Sequence, residues 1–324
     1  MITFRQVLSV LAIFVLAACV APTATPIPPT PTRAATIAPP TAIPTLIPAT
    51  ITPLPTPSEL MKPGSGNFSF TDAINRRIMV YYYLPEATTA SAPVLFVLHG
   101  TDRNGRSYRD AWVEYAKAKR FVLVVPEYPE TYFPDSETYN LGDLFSESGA
   151  ANNSVQWTFT SIEKIFDVVK SAAKLNTPTY HIYGHSAGGQ FVHRFVMFMP
   201  NARFSQAVAA NPGWYTMPQM DIAFPYGLKG TSLSRDDLGK AFGRALTLLL
   251  GELDTDENDK NLRNTPEAKA QGKHRLERGK TFFATSQQIA ATMQAKFNWG
   301  IKLVPNIGHS NGGMAKPAAD WLFP

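Results

Sequence analysis

Between Tyr180 and Met199 the chain passes from an apolar, strand-like run to an apolar, helix-like run. Only Gly184, His185 and Ser186 separate Tyr183 from Ala187. A strand that turns into a helix within so few residues brings backbone against backbone. The small residues Gly184 and Gly188 permit that approach, and the turn holds Ser186 in a strained conformation. The pattern is Gly-x-Ser-x-Gly, with Gly189 following. A strand before it and a helix after it are the context in which such a serine projects from the carboxyl edge of a sheet. The N–H of Ala187, at the start of the helix, is aimed at an oxyanion developing beside Ser186.

The surrounding sequence alternates in the same way. Arg77 to Leu84, Pro93 to Leu98, Phe121 to Val125, Gln206 to Ala210, Ala245 to Leu250 and Ile301 to Val304 read as strands. The continuous apolar run of Pro93 to Leu98 suits a strand covered on both faces. Ser107 to Arg120, Ser154 to Leu175 and Phe282 to Phe297 read as helices, with a last helix after the final strand. Strands alternating with helices imply an α/β fold with a mostly parallel central sheet and helices on both faces. No internal repeat is visible. Residues 59–324 are enough for one domain of ~250 residues. They carry 28 basic and 25 acidic side chains, a balance that excludes nucleic acid as the expected partner.

These motifs resemble the α/β-hydrolase fold over Arg77 to Leu322. Leu98-His99-Gly100 and Gly184-His185-Ser186-Ala187-Gly188-Gly189 carry a further likeness to the secreted esterases of the polyhydroxybutyrate depolymerase and feruloyl esterase group. The resemblance implies a serine nucleophile at Ser186, then an acid, then a histidine along the chain. Of the six His, His99 and His181 precede Ser186, His185 lies inside the motif and His193 follows at once. His274 sits in the charged stretch Lys273 to Arg278 and reads as a surface residue. His309 lies on a Gly-rich loop after the last strand, where a base can reach Ser186. The acid belongs after Ala245 to Leu250, where Glu252, Asp254 and Asp256 compete. The Gly251-x-x-Asp254 pattern resembles the family's acid turn and points to Asp254. Its role would be to hold the His309 tautomer and stabilise the imidazolium. Thr101, after His99-Gly100, is the expected second oxyanion donor.

Two segments are expected to face substrate. Tyr128, Tyr132, Phe133, Tyr139 and Phe145 populate the long stretch from Pro126 to Asn153. Trp214 and Tyr215 follow Asn211-Pro212-Gly213. Ligands of open α/β sheets bind at strand carboxyl ends, so Trp214, Tyr215 and Tyr132 are candidate contacts. No cofactor is implied. Asp254-x-Asp256-x-Asn258 imitates the start of a calcium loop, but Asp259 and Thr265 stand where Gly and Glu are required, so no metal is expected.

The first 58 residues have another character. They hold two of the 55 charged residues, Arg5 and Arg33. Val7 to Val15 is apolar but short for a membrane span, as in a signal peptide. Leu16-Ala17-Ala18-Cys19 resembles the lipobox of bacterial lipoproteins. That implies cleavage after residue 18 and lipid on Cys19, the only Cys, which also excludes a disulfide framework. Val20 to Pro57 has 12 Pro and 10 Thr in 38 residues, the composition of a semi-rigid extended spacer. The expected organisation is a signal peptide over 1–18, a lipidated Cys with a Pro/Thr linker over 19–58, and a catalytic domain over 59–324. The whole reads as an exported, monomeric serine ester hydrolase on the outer face of a bacterial membrane, acting on small or polymeric esters. A peptidase of the same fold and a non-catalytic surface binding module are the alternatives.

Overall fold

The structure, a computed structural model, describes residues 60–324. The expected signal peptide, Cys19 and the Pro/Thr linker lie outside these residues.

Eight strands form one sheet: β1 (Gly64–Thr71), β2 (Arg77–Leu84), β3 (Val94–Leu98), β4 (Val122–Glu127), β5 (Tyr180–His185), β6 (Phe204–Ala210), β7 (Leu246–Gly251) and β8 (Trp299–Val304). Their order across the sheet is β1-β2-β4-β3-β5-β6-β7-β8. β1 pairs with β2, and β2 with β4, antiparallel. Every other pairing is parallel. This is the α/β-hydrolase fold.

The central strands are apolar on both sides because both faces are covered. All five residues of β3 and all six of β7 are buried. On one face lie α1 (Gly105–Lys119) and α7 (Asn311–Leu322), which pack Trp112, Ala116, Met314 and Ala318 against Leu95, Val97 and Tyr183. On the other lie α2 (Thr158–Ala172), α3 (Ala187–Phe198), α4 (Arg235–Phe242) and α6 (Arg275–Thr292); the short α5 (Pro266–Ala270) precedes α6. Phe96, Phe166, Phe191, Val196 and Phe282 build that larger core. All twelve residues of α3 are buried, so the helix after the Ser186 turn runs through the middle of the molecule.

Several boundaries differ from the sequence expectation for physical reasons. β4 continues through Pro126, which faces Val80 of β2. Pairing with β3 ends at Val124, so the missing Pro126 N–H breaks no ladder there. The helix expected from Ser154 is a short 3-10 turn over Ser154–Gln156, and α2 starts only after Trp157. Trp157 is extended and packs its ring on Phe198, with its indole N–H donating to the Asn152 carbonyl. α6 starts at Arg275, well before Phe282, because the His274 side chain caps its first turn. Soon after α6 ends, the chain turns away at Gln294, whose φ of 54° is left-handed. β1, α4 and α5 fall outside the elements that the sequence predicts. β1 has only Phe68 buried among its eight residues, so it carries no hydrophobic run to read.

Phe166 is a keystone of the larger face. It is fully buried and makes edge contacts with Phe96 at 6.4 Å and Tyr180 at 4.9 Å. Phe166→Ala is expected to destabilise the domain by about 3–5 kcal/mol. Urea unfolding should show a lower midpoint with an unchanged slope.

Candidate active site

The turn between β5 and α3 is as tight as its composition requires. A Cβ at Gly184 would lie 2.1 Å from the Gly188 carbonyl oxygen, and one at Gly188 would lie 2.2 Å from that of Leu98. Glycine at both positions lets β3, β5 and α3 meet at backbone distance. Ser186 stands between them at φ 58° and ψ −117°, a conformation that a non-glycine residue holds only under constraint. Its N–H donates to the Ala210 carbonyl at 2.9 Å, and its own carbonyl accepts from Gln190 at 3.0 Å. The hydroxyl is thereby fixed at the carboxyl ends of the parallel strands.

His309 and Asp254 reach that point from separate loops. His309 Nε2 lies 3.0 Å from Ser186 Oγ, and His309 Nδ1 lies 2.8 Å from Asp254 Oδ2. A carboxylate can only accept, so Nδ1 carries the proton and Nε2 is left to accept from the Ser186 hydroxyl. The structure thus brings Ser186, His309 and Asp254 into one hydrogen-bonded line. Glu252 and Asp256, the rival acids, are exposed and make no bond to His309. His274 sits at the start of α6, as its N-cap.

Three neighbours hold this line and were not singled out in the sequence. Arg275, 1% exposed, places Nη1 3.5 Å from Asp254 Oδ1 and Nη2 3.0 Å from Asp259 Oδ1. Asp254, itself 3% exposed, therefore divides its two oxygens between His309 and a buried cation. Asn211 is buried at φ 44° after β6. Its Oδ1 accepts from Gly251 N–H at 2.8 Å and its Nδ2 donates to the Gly308 carbonyl at 3.1 Å. One side chain thus ties the acid turn to the histidine loop. His185 packs its ring 4.7 Å from that of His309, with Nδ1 3.2 Å from the Tyr108 hydroxyl. Burial, then the charges of His309 and Arg275, hold the His185 pKa well below the usual imidazole value, so it stays neutral beside His309.

Thr101 and Ala187 stand on either side of Ser186. A Cβ at Gly100 would be 3.6 Å from Ser186 Cβ, which places the Gly100-Thr101 peptide against Ser186. His99 braces this loop. Its Nδ1 lies 2.9 Å from the Gly100 carbonyl, and its Nε2 accepts from Tyr128 N–H at 3.0 Å. Burial pushes its pKa down to about 3, so it too is a neutral strut.

Thr101 and Ala187 also line a cleft of about 360 Å³ that includes Arg103, Tyr139, Gln190, Trp214, Lys260 and Arg263. Its wall is more polar and more basic than the aromatic floor expected from the sequence. Trp214 does line it, clasped between the guanidinium groups of Arg194 at 4.3 Å and Arg263 at 4.6 Å. Tyr215 does not, which corrects its expected role. It is fully buried, its ring stacks on Phe282 at 4.4 Å, and its backbone pairs at both ends with the Gln271 side chain. Tyr132 is 38% exposed and lies outside the cleft wall, a second correction. Tyr128, Phe133 and Tyr139 pack with Phe191 into a buried aromatic cluster that shapes the long loop. Alternation and composition do not distinguish an aromatic that packs a loop from one that faces a ligand.

Two substitutions test this geometry by steady-state kinetics on a small ester. Asp254→Asn keeps the shape but loses the charge, and kcat should fall ~10⁴-fold. Arg275→Met should lower kcat by about 10²-fold through misplacement of the acid, with Arg275→Lys recovering part of the loss.

Residues 71–233 match the esterase family model. No curated protein sequence matches the chain. Among solved structures, poly(aspartic acid) hydrolase-1 from Sphingomonas sp. KT-1 is 47% identical, with a TM-score of 0.80 over 82% of this chain and 100% of that one. The poly(3-hydroxybutyrate) depolymerase LpqC from Bordetella parapertussis is 33% identical, with a TM-score of 0.78 over 81% of this chain and 91% of that one. The fluorophosphonate-binding serine hydrolase FphF of Staphylococcus aureus, 16% identical at a TM-score of 0.53 over 81% of this chain and 100% of that one, shares the fold alone. With its sheet, its Gly-x-Ser-x-Gly turn and these likenesses, the chain belongs to the esterase family of α/β-hydrolases.

Proposed function

We propose that the protein is an exported serine hydrolase that cleaves carboxylic acyl bonds through an acyl-enzyme on Ser186. The observation that carries the reading is the line from Asp254 through His309 to Ser186, at 2.8 and 3.0 Å. In the first step Ser186 Oγ attacks the acyl carbon and its proton passes to His309 Nε2. The carbonyl oxygen becomes an oxyanion facing the N–H groups of Ala187 and Thr101. The bond to the leaving group then breaks, and His309 returns the proton to the departing oxygen or nitrogen. Water repeats the sequence on the acyl-enzyme. It loses its proton to His309, adds to the acyl carbon, and frees the acid while Ser186 recovers its hydrogen. Asp254 stabilises the imidazolium in both halves, and Arg275 keeps Asp254 in register.

Esters, polyester and hydroxycinnamate esters among them, are the first substrate class, in line with the family. One observation favours a second reading within the same chemistry. Arg103, Lys260 and Arg263 line the cleft beside Ser186 with Glu130 and Asp135, a small excess of positive charge that would attract an anionic acyl or leaving group. The 47% identical hydrolase is described as acting on poly(aspartic acid), a polyamide with a carboxylate on each unit. The second reading is therefore an amidase or esterase for a polymer bearing carboxylates. A lipid anchor at Cys19 would keep such an enzyme outside the cell, where polymers too large to import are met.

A panel of p-nitrophenyl esters, peptide anilides and poly(aspartic acid), with Ser186→Ala as control, separates these readings. Ester turnover that vanishes in Ser186→Ala is expected. Added cleavage of poly(aspartic acid) that weakens as salt rises supports the anionic class. Turnover of none of the three would favour a non-catalytic binding module. For the anchor, Cys19→Ala should move the protein from the membrane fraction to the medium or soluble fraction, and retention would refute it.

A further inference from the structure

Beside the catalytic cleft lies a second one of about 410 Å³, formed by the segment between β7 and α6 and by the start of α6. The two clefts meet at Lys260, Leu262 and Arg263, which line both. Lys269, Lys273 and Arg278 complete a set of five cations around the second cleft. Among the described residues none of the five takes part in an ion pair. Two acids line the same cleft, and one of them, Asp259, is already bound by Arg275. That leaves Glu257 as the single acid lining the cleft outside an ion pair.

Arg278 is the most telling of the five. It is 1% exposed, yet its guanidinium meets only backbone carbonyls, those of Gly272 at 2.9 Å and Gly213 at 2.8 Å. Burial and the neighbouring Arg275 both depress its pKa. A buried cation without a countercharge is costly to hold. Arg194, fully buried beneath Trp214, is a second cation in no ion pair among the described residues, with Nε donating to the Thr216 hydroxyl and Nη2 unpartnered. Along the two clefts Arg103, Lys260, Arg263, Lys269, Lys273 and Arg278 outnumber Glu130, Asp135 and Glu257, and this net positive surface next to Ser186 fits an anionic ligand longer than one unit.

We propose that the second cleft is an accessory subsite for the carboxylates of a polyanionic chain whose nearby acyl bond lies at Ser186. This rests on the anionic-polymer reading given above. The polymer crosses from one cleft to the other over Lys260 and Arg263, the exposed Lys269 and Lys273 hold its further carboxylates, and buried Arg278 adds positive charge behind them. The subsite favours long chains over single units, since several weak, screened contacts add along one molecule.

The test is binding of fluorescein-labelled poly(acrylic acid), a polyanion with no bond to cleave, followed by anisotropy at low salt. Lys269 and Lys273 are exposed, so Lys269→Ala/Lys273→Ala should fold normally. The double variant is expected to bind about tenfold more weakly, with p-nitrophenyl acetate turnover unchanged. Lys269→Glu/Lys273→Glu should weaken binding further. The exposed pair Lys164→Ala/Lys296→Ala removes the same charge elsewhere and should leave binding as in the unaltered protein. Equal loss in both alanine pairs would mean net charge alone and would overturn the subsite, as would unchanged binding in both Lys269/Lys273 variants or no polymer binding by the unaltered protein. Failure to hydrolyse poly(aspartic acid) with polyacrylate binding intact would sink the substrate reading and leave the subsite standing.

Discussion

The contact on which the rest of the molecule depends is backbone against backbone. Gly188 at the start of α3 lies on the Leu98 carbonyl, and Gly184 lies on Gly188 itself, leaving no room for a methyl group at either place. This contact fixes where β3, β5 and α3 meet. The strain it imposes on Ser186 is borne by a fully buried helix and by the hydrogen bond to Ala210. From there the order spreads along the sheet. Asn211, next after Ala210, binds the turns that carry Asp254 and His309. A chain of short contacts thus runs across four strands, and no catalytic candidate is placed by a free-standing loop.

Electrostatics supplies the second layer. Asp254 is almost wholly buried, and a lone carboxylate there would be expensive. Arg275 offsets that cost while leaving one oxygen for His309. Both His99 and His185, which brace the same site, are held neutral by burial. Of the three imidazoles close to Ser186, His309 alone bonds to its hydroxyl.

Ser186, His309 and Asp254 were legible in the chain because each follows a strand and sits in a short Gly-bearing turn, a local pattern. The parallel sheet was legible because strands buried on both faces, such as β3, become unbroken apolar words. What stayed hidden is non-local. Lys273 to Arg278 reads as a solvated charged stretch, yet Arg275 and Arg278 are each 1% exposed. Only the arrival of Asp254, Asp259 and the Gly213 carbonyl, from other parts of the chain, makes their burial tolerable. Tyr215 misled for the opposite reason, since its neighbour Trp214 does border the cleft while its own ring stacks inward on Phe282. β1 was missed because an edge strand with one covered residue carries no periodic signal.

β1 fixes where the described part of the chain enters the sheet relative to Ser186. β1 opposes β2, and β2 opposes β4, so β1 runs in the same sense as the six parallel strands. Gly64 therefore lies at the end of the sheet where those strands begin, while Ser186 stands where they finish.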